Sequence, residues 1–93
     1  MTRETTVATV YIPAQLRELT GGEGRIEVEG NTIRILVDEL ERRYPGVKRR
    51  LCDGDELSPS LQVSIGDTIS TRRMDASVDG DSEVHFLPAI GGG

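Results

Sequence analysis

The chain holds one cysteine and one histidine, Cys52 and His85, which are its candidates for nucleophilic or acid–base chemistry. A thiol nucleophile needs a general base within hydrogen-bond reach, but these two residues fall in different predicted elements and no motif spacing pairs them. A single cysteine also excludes an intrachain disulfide and a metal site built from several thiolates. We therefore predict no catalytic residue, an unreactive thiol at Cys52 and a reducing compartment.

Carboxylates are concentrated in two segments, DGDE at residues 53–56 and DGDSE at residues 79–83. An EF-hand calcium loop places about six oxygen ligands within twelve residues, and neither segment continues into that pattern. The glycines of TGGEGR, residues 20–25, lack the Lys-Ser/Thr pair of a phosphate-binding loop and precede a predicted strand. We interpret all three segments as turns, and we expect no metal and no cofactor bound by the chain itself.

The last residues of the sequence are FLPAIGGG, residues 86–93. Glycine loses the most conformational entropy on ordering, and short terminal segments rarely fold. We predict one domain over residues 1–90 and a flexible tail over residues 91–93. The residues alone leave open whether that tail is an inert end or a working part.

The charge balance is acidic, with eleven Lys and Arg against sixteen Asp and Glu and a net charge of −5. Such a chain, with no Trp and one Phe, lacks the basic surface and the stacking platforms that bind nucleic acid. Five basic residues within 42–50 suit either a helix C-terminus or a patch for an acidic partner. No apolar run approaches the roughly 18 residues of a membrane span, and no export signal is visible, so we predict a cytoplasmic protein without a membrane partner.

Two strands are expected at the start of the chain. TVATVYI, residues 6–12, is a β-branched run that places Ala8, Val10 and Ile12 on one face. RIEVEG, residues 25–30, alternates apolar and charged residues and predicts a second, antiparallel strand. The segment between them is expected to form one helical turn or a loop.

NTIRILVDELERRYPG, residues 31–46, changes to helical spacing. Asn31 or Thr32 can cap its start, and Pro45-Gly46 can stop it. Its apolar positions are Ile33, Leu36, Val37, Leu40 and Tyr44. VKRRL is expected to add another turn, and CDGDELSPS is expected to be a loop.

The C-terminal third predicts three more strands. LQVSI is one, a turn at Gly66-Asp67 leads into a short second one, and a loop with Val78 facing inward follows. In the final strand Val84 and Phe86 are expected to face the core, with His85 and Leu87 on the opposite face. A hairpin, a helix and further strands make an α+β layout in which one main helix covers a mixed sheet of four or five strands. This layout resembles the β-grasp, ubiquitin-like fold, with the last strand central and parallel to the first.

Three stretches, VYIPAQLRELTGG, TIRILVDELERRYPG and DASVDGDSEVHFLPAIGGG, together resemble the ThiS/MoaD ubiquitin-like sulfur-carrier family. In that family a helix ends in Tyr-Pro-Gly, a Gly-Asp turn opens the last strand, and the strand ends in Leu-Pro before small residues and Gly-Gly. Aligned on Leu87-Pro88, Gly92-Gly93 is the diglycine. The segment IPAQLRELTGG is most similar to the carrier that supplies cysteine biosynthesis. One departure is Ile65-Gly66, where the family usually has Asn-Gly.

The resemblance implies a sulfur carrier that is a protein cosubstrate and not an enzyme. A ubiquitin-activating-like enzyme would use ATP to adenylate the α-carboxylate of Gly93, and sulfide or a persulfide would displace AMP to leave a thiocarboxylate. Gly91, Gly92 and Gly93 would thread into the partner's active site, because glycine has no Cβ. These three residues span at most about 10 Å, so the domain must dock close by.

The candidate docking surface is His85, Leu87, Pro88 and Ile90, although scattered surface apolar residues are the alternative interpretation. The sulfur acceptor is open between a cysteine synthase, a thiazole-synthase-like enzyme and the large subunit of molybdopterin synthase. The alternatives to a cysteine-biosynthesis carrier are therefore a thiamin thiazole sulfur carrier and the small subunit of molybdopterin synthase. A different class of function is a ubiquitin-like modifier joined by isopeptide bonds, or an interaction module with an inert tail. The chain has one lysine, Lys48, which leaves little room for self-linked chains.

Overall fold

Seven strands and two α-helices form from residues 6–88, the part of the chain that the computed structural model describes. The strands are β1 (Val7–Tyr11), β2 (Arg25–Glu29), β3 (Cys52–Asp53), β4 (Glu56–Leu57), β5 (Leu61–Ile65), β6 (Thr68–Ser70) and β7 (Glu83–Pro88). The helices are α1 (Ile33–Arg43) and α2 (Val47–Leu51), and 3-10 segments span Ala14–Thr20 and Arg73–Asp75.

Five of these strands make one mixed sheet in the order β2-β1-β7-β5-β6. The last strand, β7, lies in the middle, parallel to β1 with Val10 opposite Val84 and antiparallel to β5 with Val63 opposite Phe86. β1 and β2 form the antiparallel hairpin expected from their alternation. The predicted α+β layout, with a central last strand parallel to the first, is confirmed.

The main helix begins and ends where the sequence predicts. The Oγ1 of Thr32 accepts a hydrogen bond from the backbone N–H of Ile35 at 3.2 Å and caps the helix. Gly46 has a φ of 107°, a left-handed conformation that glycine adopts without a Cβ clash, and it turns the chain into α2. The carboxylate of Glu41 accepts the backbone N–H groups of Gly46 and Lys48, at 3.1 and 2.9 Å, and so joins the two helices.

The core lies between α1 and the inner face of the sheet. Leu36, Val37 and Leu40 of α1 are completely buried. From the sheet, the buried residues are Ala8, Val10, Ile26, Val28, Val63, Val84 and Phe86. Val84 and Phe86 therefore face the core as predicted, and packing of aliphatic residues holds the helix on one face of the sheet.

One predicted loop is a short hairpin in the structure. CDGDELSPS was expected to be a loop, but β3 and β4 pair antiparallel around the turn at Gly54, which has a φ of 72°. The hairpin exists because Leu57 is buried against the core and fixes the second strand. The predicted inward position of Val78 is confirmed, and the same segment also buries Met74 and Ala76.

The predicted flexible tail, residues 91–93, lies outside the described residues, so the tail and the domain limit at residue 90 stay predictions. Within residues 6–88 no helix is both long and apolar enough to cross a membrane.

Candidate functional site

The face of the sheet that turns away from α1 carries two of the predicted docking residues, His85 and Leu87, whereas Pro88 alternates to the other face. We call the face turned away from α1 the open face; its members in the strands are Val7, Thr9, Tyr11, Arg25, Glu27, Glu29, Gln62, Ser64, Ile69, Glu83, His85 and Leu87. His85 and Leu87 alternate with the buried Val84 and Phe86, as a pleated strand requires. The open face is therefore built from the same central strand that supplies the core.

His85 lies at the centre of the open face, stacked on Tyr11 of the neighbouring strand. The two ring centroids are 4.2 Å apart and the planes differ by 6°. Parallel pairing places Tyr11 directly opposite His85, which brings the rings face to face. His85 Nε2 also lies 3.8 Å from Glu83 Oε1. The stack gives the open face a flat, partly exposed aromatic surface.

Leu87 and Pro88 lie where β7 ends. Leu87 is half-buried opposite Gln62, and Pro88 is exposed opposite Leu61 at the start of β5. The predicted docking residues His85, Leu87 and Pro88 thus follow one another along the end of the central strand. Ile90 and the tail residues Gly91, Gly92 and Gly93 lie outside the described residues.

The motif IPAQLRELTGG lies at the end of the sheet where β7 also ends, because β1 runs parallel to β7 and this segment follows β1. Thr20 is 1% exposed, and its hydroxyl lies 2.8 Å from the carbonyl oxygen of Glu23 and 3.1 Å from that of Arg17. Gly21 and Gly22 have φ values of 67° and 89°, which favour glycine. The spacing of Thr-Gly-Gly is therefore explained by a turn.

Arg17 also lies at this end of the sheet. Its Nε donates to the carbonyl oxygen of Ile12 at 3.1 Å. The guanidinium lies against Gly24, where an added Cβ would meet Nε at 2.9 Å. The residues of this motif thus shape the end of the sheet at which β7 ends.

Cys52 lies away from the open face, at the start of β3. Burial raises the pKa of its thiol, so the neutral form dominates at neutral pH. This agrees with the prediction of an unreactive thiol. Among residues 6–88, no group of His, Cys, Asp and Glu side chains is arranged to hold a metal ion.

Two of the five basic residues within 42–50 have acidic partners on α1. Arg42 makes a two-point contact with Glu39, at 3.1 and 2.7 Å. Lys48 Nζ lies 2.9 Å from Asp38 Oδ1. These pairs agree with a solvated helix face, and an acidic partner for the remaining arginines stays a prediction.

Tyr11 contacts a predicted docking residue, His85, but the sequence interpretation did not assign Tyr11 to the docking surface. Its type and position in β1 gave no functional signal, because alternation alone places it only on the face opposite Val10. The signal lies in the register, since a parallel central pair puts Tyr11 opposite His85.

Comparison with known proteins gives consistent results. Residues 10–93 match the ThiS family. The sulfur carrier protein CysO of Mycobacterium tuberculosis is 35% identical over 91 residues, covering 91% of this chain and 97% of that relative.

Solved structures share the fold. A chain in the crystal structure of the Amycolatopsis orientalis BexX/CysO complex is 34% identical with a TM-score of 0.83, covering 92% of this chain and 99% of that one. Small archaeal modifier protein 1 of Methanosarcina acetivorans is 22% identical with a TM-score of 0.76, covering 98% and 100%, and shares the fold alone. The predicted β-grasp fold and the predicted family are confirmed, and the chain belongs to the ThiS family.

Proposed function

We propose that this chain is a sulfur carrier and that its working group is the α-carboxylate of Gly93. An activating enzyme transfers AMP from ATP to that carboxylate and releases pyrophosphate. Sulfide attacks the activated carbonyl carbon, AMP leaves, and a thiocarboxylate remains. With a persulfide donor the first product is an acyl disulfide, and a second thiol of the partner must cleave its S–S bond, which releases the thiocarboxylate and leaves a disulfide on the partner. The chain is consumed and regenerated as a cosubstrate, and the ATP is bound by the partner.

The family match carries this proposal, because it extends through the diglycine at Gly92-Gly93. The relative with 35% identity is named a sulfur carrier protein. β7 supports the role physically: a strand paired on both sides is held firmly at its position. A tail that follows such a strand starts from a fixed point.

The length of the tail sets how the domain must dock. Five residues follow Pro88, and they extend at most about 17 Å. The body therefore has to lie against the partner close to its catalytic centre. Glycine at the end of the chain suits a narrow entrance, since it has no Cβ and leaves the carbonyl open to attack.

The docking surface in this proposal is the end of β7, with His85 and Leu87 on the open face and Pro88 next to Leu87 on the other face. Ile90 stays part of the predicted surface. The stack of Tyr11 on His85 adds aromatic area beside Leu87. Partly exposed aromatic and aliphatic side chains of this kind form the centres of many protein interfaces. The chain from Amycolatopsis orientalis was solved in a complex, which supports a partner protein for this family member as well.

The activating partner is proposed to be a ubiquitin-activating-like adenylyltransferase and sulfurtransferase. The acceptor is proposed to be a cysteine synthase, on the similarity to CysO. The thiazole-synthase-like enzyme and the large subunit of molybdopterin synthase remain alternative acceptors. Such partners and the lone cysteine suit a cytoplasmic protein, which stays part of the proposal.

The test is to incubate the purified chain with an activating enzyme of proven activity, ATP and sulfide, and to record the intact mass. We expect a mass increase equal to the exchange of one oxygen for one sulfur, located at Gly93 by fragmentation. A reaction without ATP is the control and should leave the mass unchanged.

Other outcomes separate the alternatives. No mass change with the active enzyme contradicts the carrier proposal. Adducts between Gly93 and lysines of other proteins instead favour a modifier. Stable co-purification with the molybdopterin synthase large subunit would assign that enzyme as the acceptor.

A further inference from the structure

Arg73 has an unusual backbone for its residue type. Its φ is 56°, in the left-handed region that side chains with a Cβ rarely adopt. It shares the positive φ only with Asp81 among the non-glycine residues of the described chain. Asp tolerates this conformation better than Arg does, because its short side chain can bond locally. Such a conformation persists only where the contacts of the residue compensate for its strain.

The guanidinium of Arg73 holds three backbone carbonyls. Nη1 donates to the carbonyl oxygen of Leu61 at 3.0 Å. Nη2 donates to those of Leu57 and Ser58, at 2.7 and 2.9 Å. In the described part of the chain, no carboxylate makes an ion pair with Arg73. A planar, forked donor can join several carbonyls in a way that the single nitrogen of lysine cannot.

The three carbonyls lie between β4 and the start of β5, and β5 borders the end of β7. Leu61 begins β5 and lies opposite Pro88, the last described residue before the tail. β6 pairs with β5 only from Val63 to Ile65, so it does not reach Leu61. Arg73 follows β6 in the chain and donates to the carbonyl beyond its end. The side chain thus fixes the border strand where β6 has stopped.

We propose that Arg73 is a positioning residue for the tail: its guanidinium fixes the start of β5 and thereby the direction in which the chain leaves the sheet after Pro88. This rests on the proposed function, because a fixed departure matters when the tail must enter a partner. In this proposal Arg73 does not act on the reacting carboxylate directly. Its role is exerted through Leu61 and β7.

The test compares Arg73→Gly, Arg73→Lys and Arg72→Ala. Glycine adopts a positive φ without strain, so Arg73→Gly removes the guanidinium and adds no backbone strain. Arg73→Lys keeps the charge but loses the fork. Arg72→Ala removes an exposed neighbouring arginine with an ordinary φ of −81° and is the charge control. Circular dichroism first establishes that each variant is folded.

The first readout is amide hydrogen exchange, which does not depend on any partner. In Arg73→Gly we expect exchange about tenfold or more faster at Leu61 and Leu87, and no change at Val10 and Val28 in the hairpin. Arg73→Lys should be intermediate and Arg72→Ala should match the wild type. Unchanged exchange at Leu61 and Leu87 in Arg73→Gly would overturn the proposal.

The second readout is the kinetics of thiocarboxylate formation, at a temperature where all variants are folded. If the chain leaves the sheet after Pro88 in many directions, binding of the tail in the active site of the activating enzyme costs more conformational entropy. The geometry of the bound tail does not change. We therefore expect a KM about tenfold higher for Arg73→Gly with kcat unchanged, partial recovery in Arg73→Lys, and a wild-type KM for Arg72→Ala. A wild-type KM in Arg73→Gly contradicts the positioning role, whereas an unconverted wild type contradicts the proposed function and leaves the exchange data to decide on Arg73.

Discussion

The two faces of β7 differ in what they contribute. Val84 and Phe86 are 0% and 5% exposed and pack beneath α1, whereas His85 and Leu87 are half-buried on the open face. The residues alternate along one six-residue strand, so the same backbone serves both faces.

The alternation separates the residues that stabilise the fold from those proposed to dock a partner, although the two sets are neighbours along one strand. Burial of apolar surface against α1 contributes most of the favourable free energy. The side chains of the open face are exposed or half-buried except for that of Ser64, so most of them are less constrained by packing. A substitution on one face should therefore change folding, and the adjacent substitution should change docking.

The largest expected effect is on the covered face. Phe86→Ala removes a buried aromatic side chain and should lower the free energy of unfolding by about 3–5 kcal/mol. Urea denaturation measures it. Leu87→Ala is the control from the same strand and should lose about 1 kcal/mol or less. Equal losses for the two variants would contradict the separation of the faces.

The next largest loss of stability is expected at the Thr-Gly-Gly turn, at the end of the sheet where β7 ends. Thr20→Val removes the buried hydroxyl that donates to the carbonyl oxygen of Glu23 and should lower the free energy of unfolding by about 1–2 kcal/mol. Thermal denaturation measures it, with Thr71→Val at an exposed position as the control. We expect wild-type kinetics of thiocarboxylate formation while the variant is folded. A kinetic defect without a loss of stability would make this turn part of the docking surface.

The secondary structure and the open face were largely predictable because their signals are local. Alternation of apolar residues specified β7, and helical spacing with the Thr32 cap specified α1. The β3–β4 hairpin was missed, because strands of two residues are too short to show a period. A predicted loop likewise concealed the burial of Met74.

The contacts that complete the site are non-local and could not be predicted. The stack between Tyr11 and His85 depends on the register between strands at opposite ends of the chain. The bonds of Arg73 depend on a positive φ that no sequence pattern indicated. Gly93, the proposed working residue, was assigned by family resemblance, since its type alone favours only flexibility.

A smaller effect is expected on docking. Leu87→Ser should raise the KM for the activating enzyme about tenfold, a loss of about 1.4 kcal/mol in binding, with kcat nearly unchanged. Ile69→Ser is the matched control, because Ile69 is 46% exposed on the same face but two strands away. Equal KM changes for both variants would show that docking is not centred on β7.

The smallest expected effect on stability concerns Glu41 of α1. Hydrogen bonds from the backbone N–H groups of Lys48 and Gly46 lower the pKa of Glu41. Its ionised form therefore contributes stability above the pKa of the unfolded chain, and this contribution is lost as the pH falls through the folded pKa.

Glu41→Gln should lower Tm by less than about 5 °C at neutral pH. The difference from the wild type should shrink as the pH falls through the folded pKa of Glu41. Melting curves measured across that range check it. A difference that grows as the pH falls would contradict the assigned direction of the pKa change.

The central claim is that the folded domain carries the tail without depending on it. Deletion of Gly93 tests this most directly, with Tm and the ATP-dependent mass change measured on the same samples. We expect a Tm within about 1 °C of the wild type, since short terminal segments contribute little to stability, and no thiocarboxylate. A clear fall in Tm, or an oxygen-to-sulfur exchange that persists without Gly93, would contradict the account.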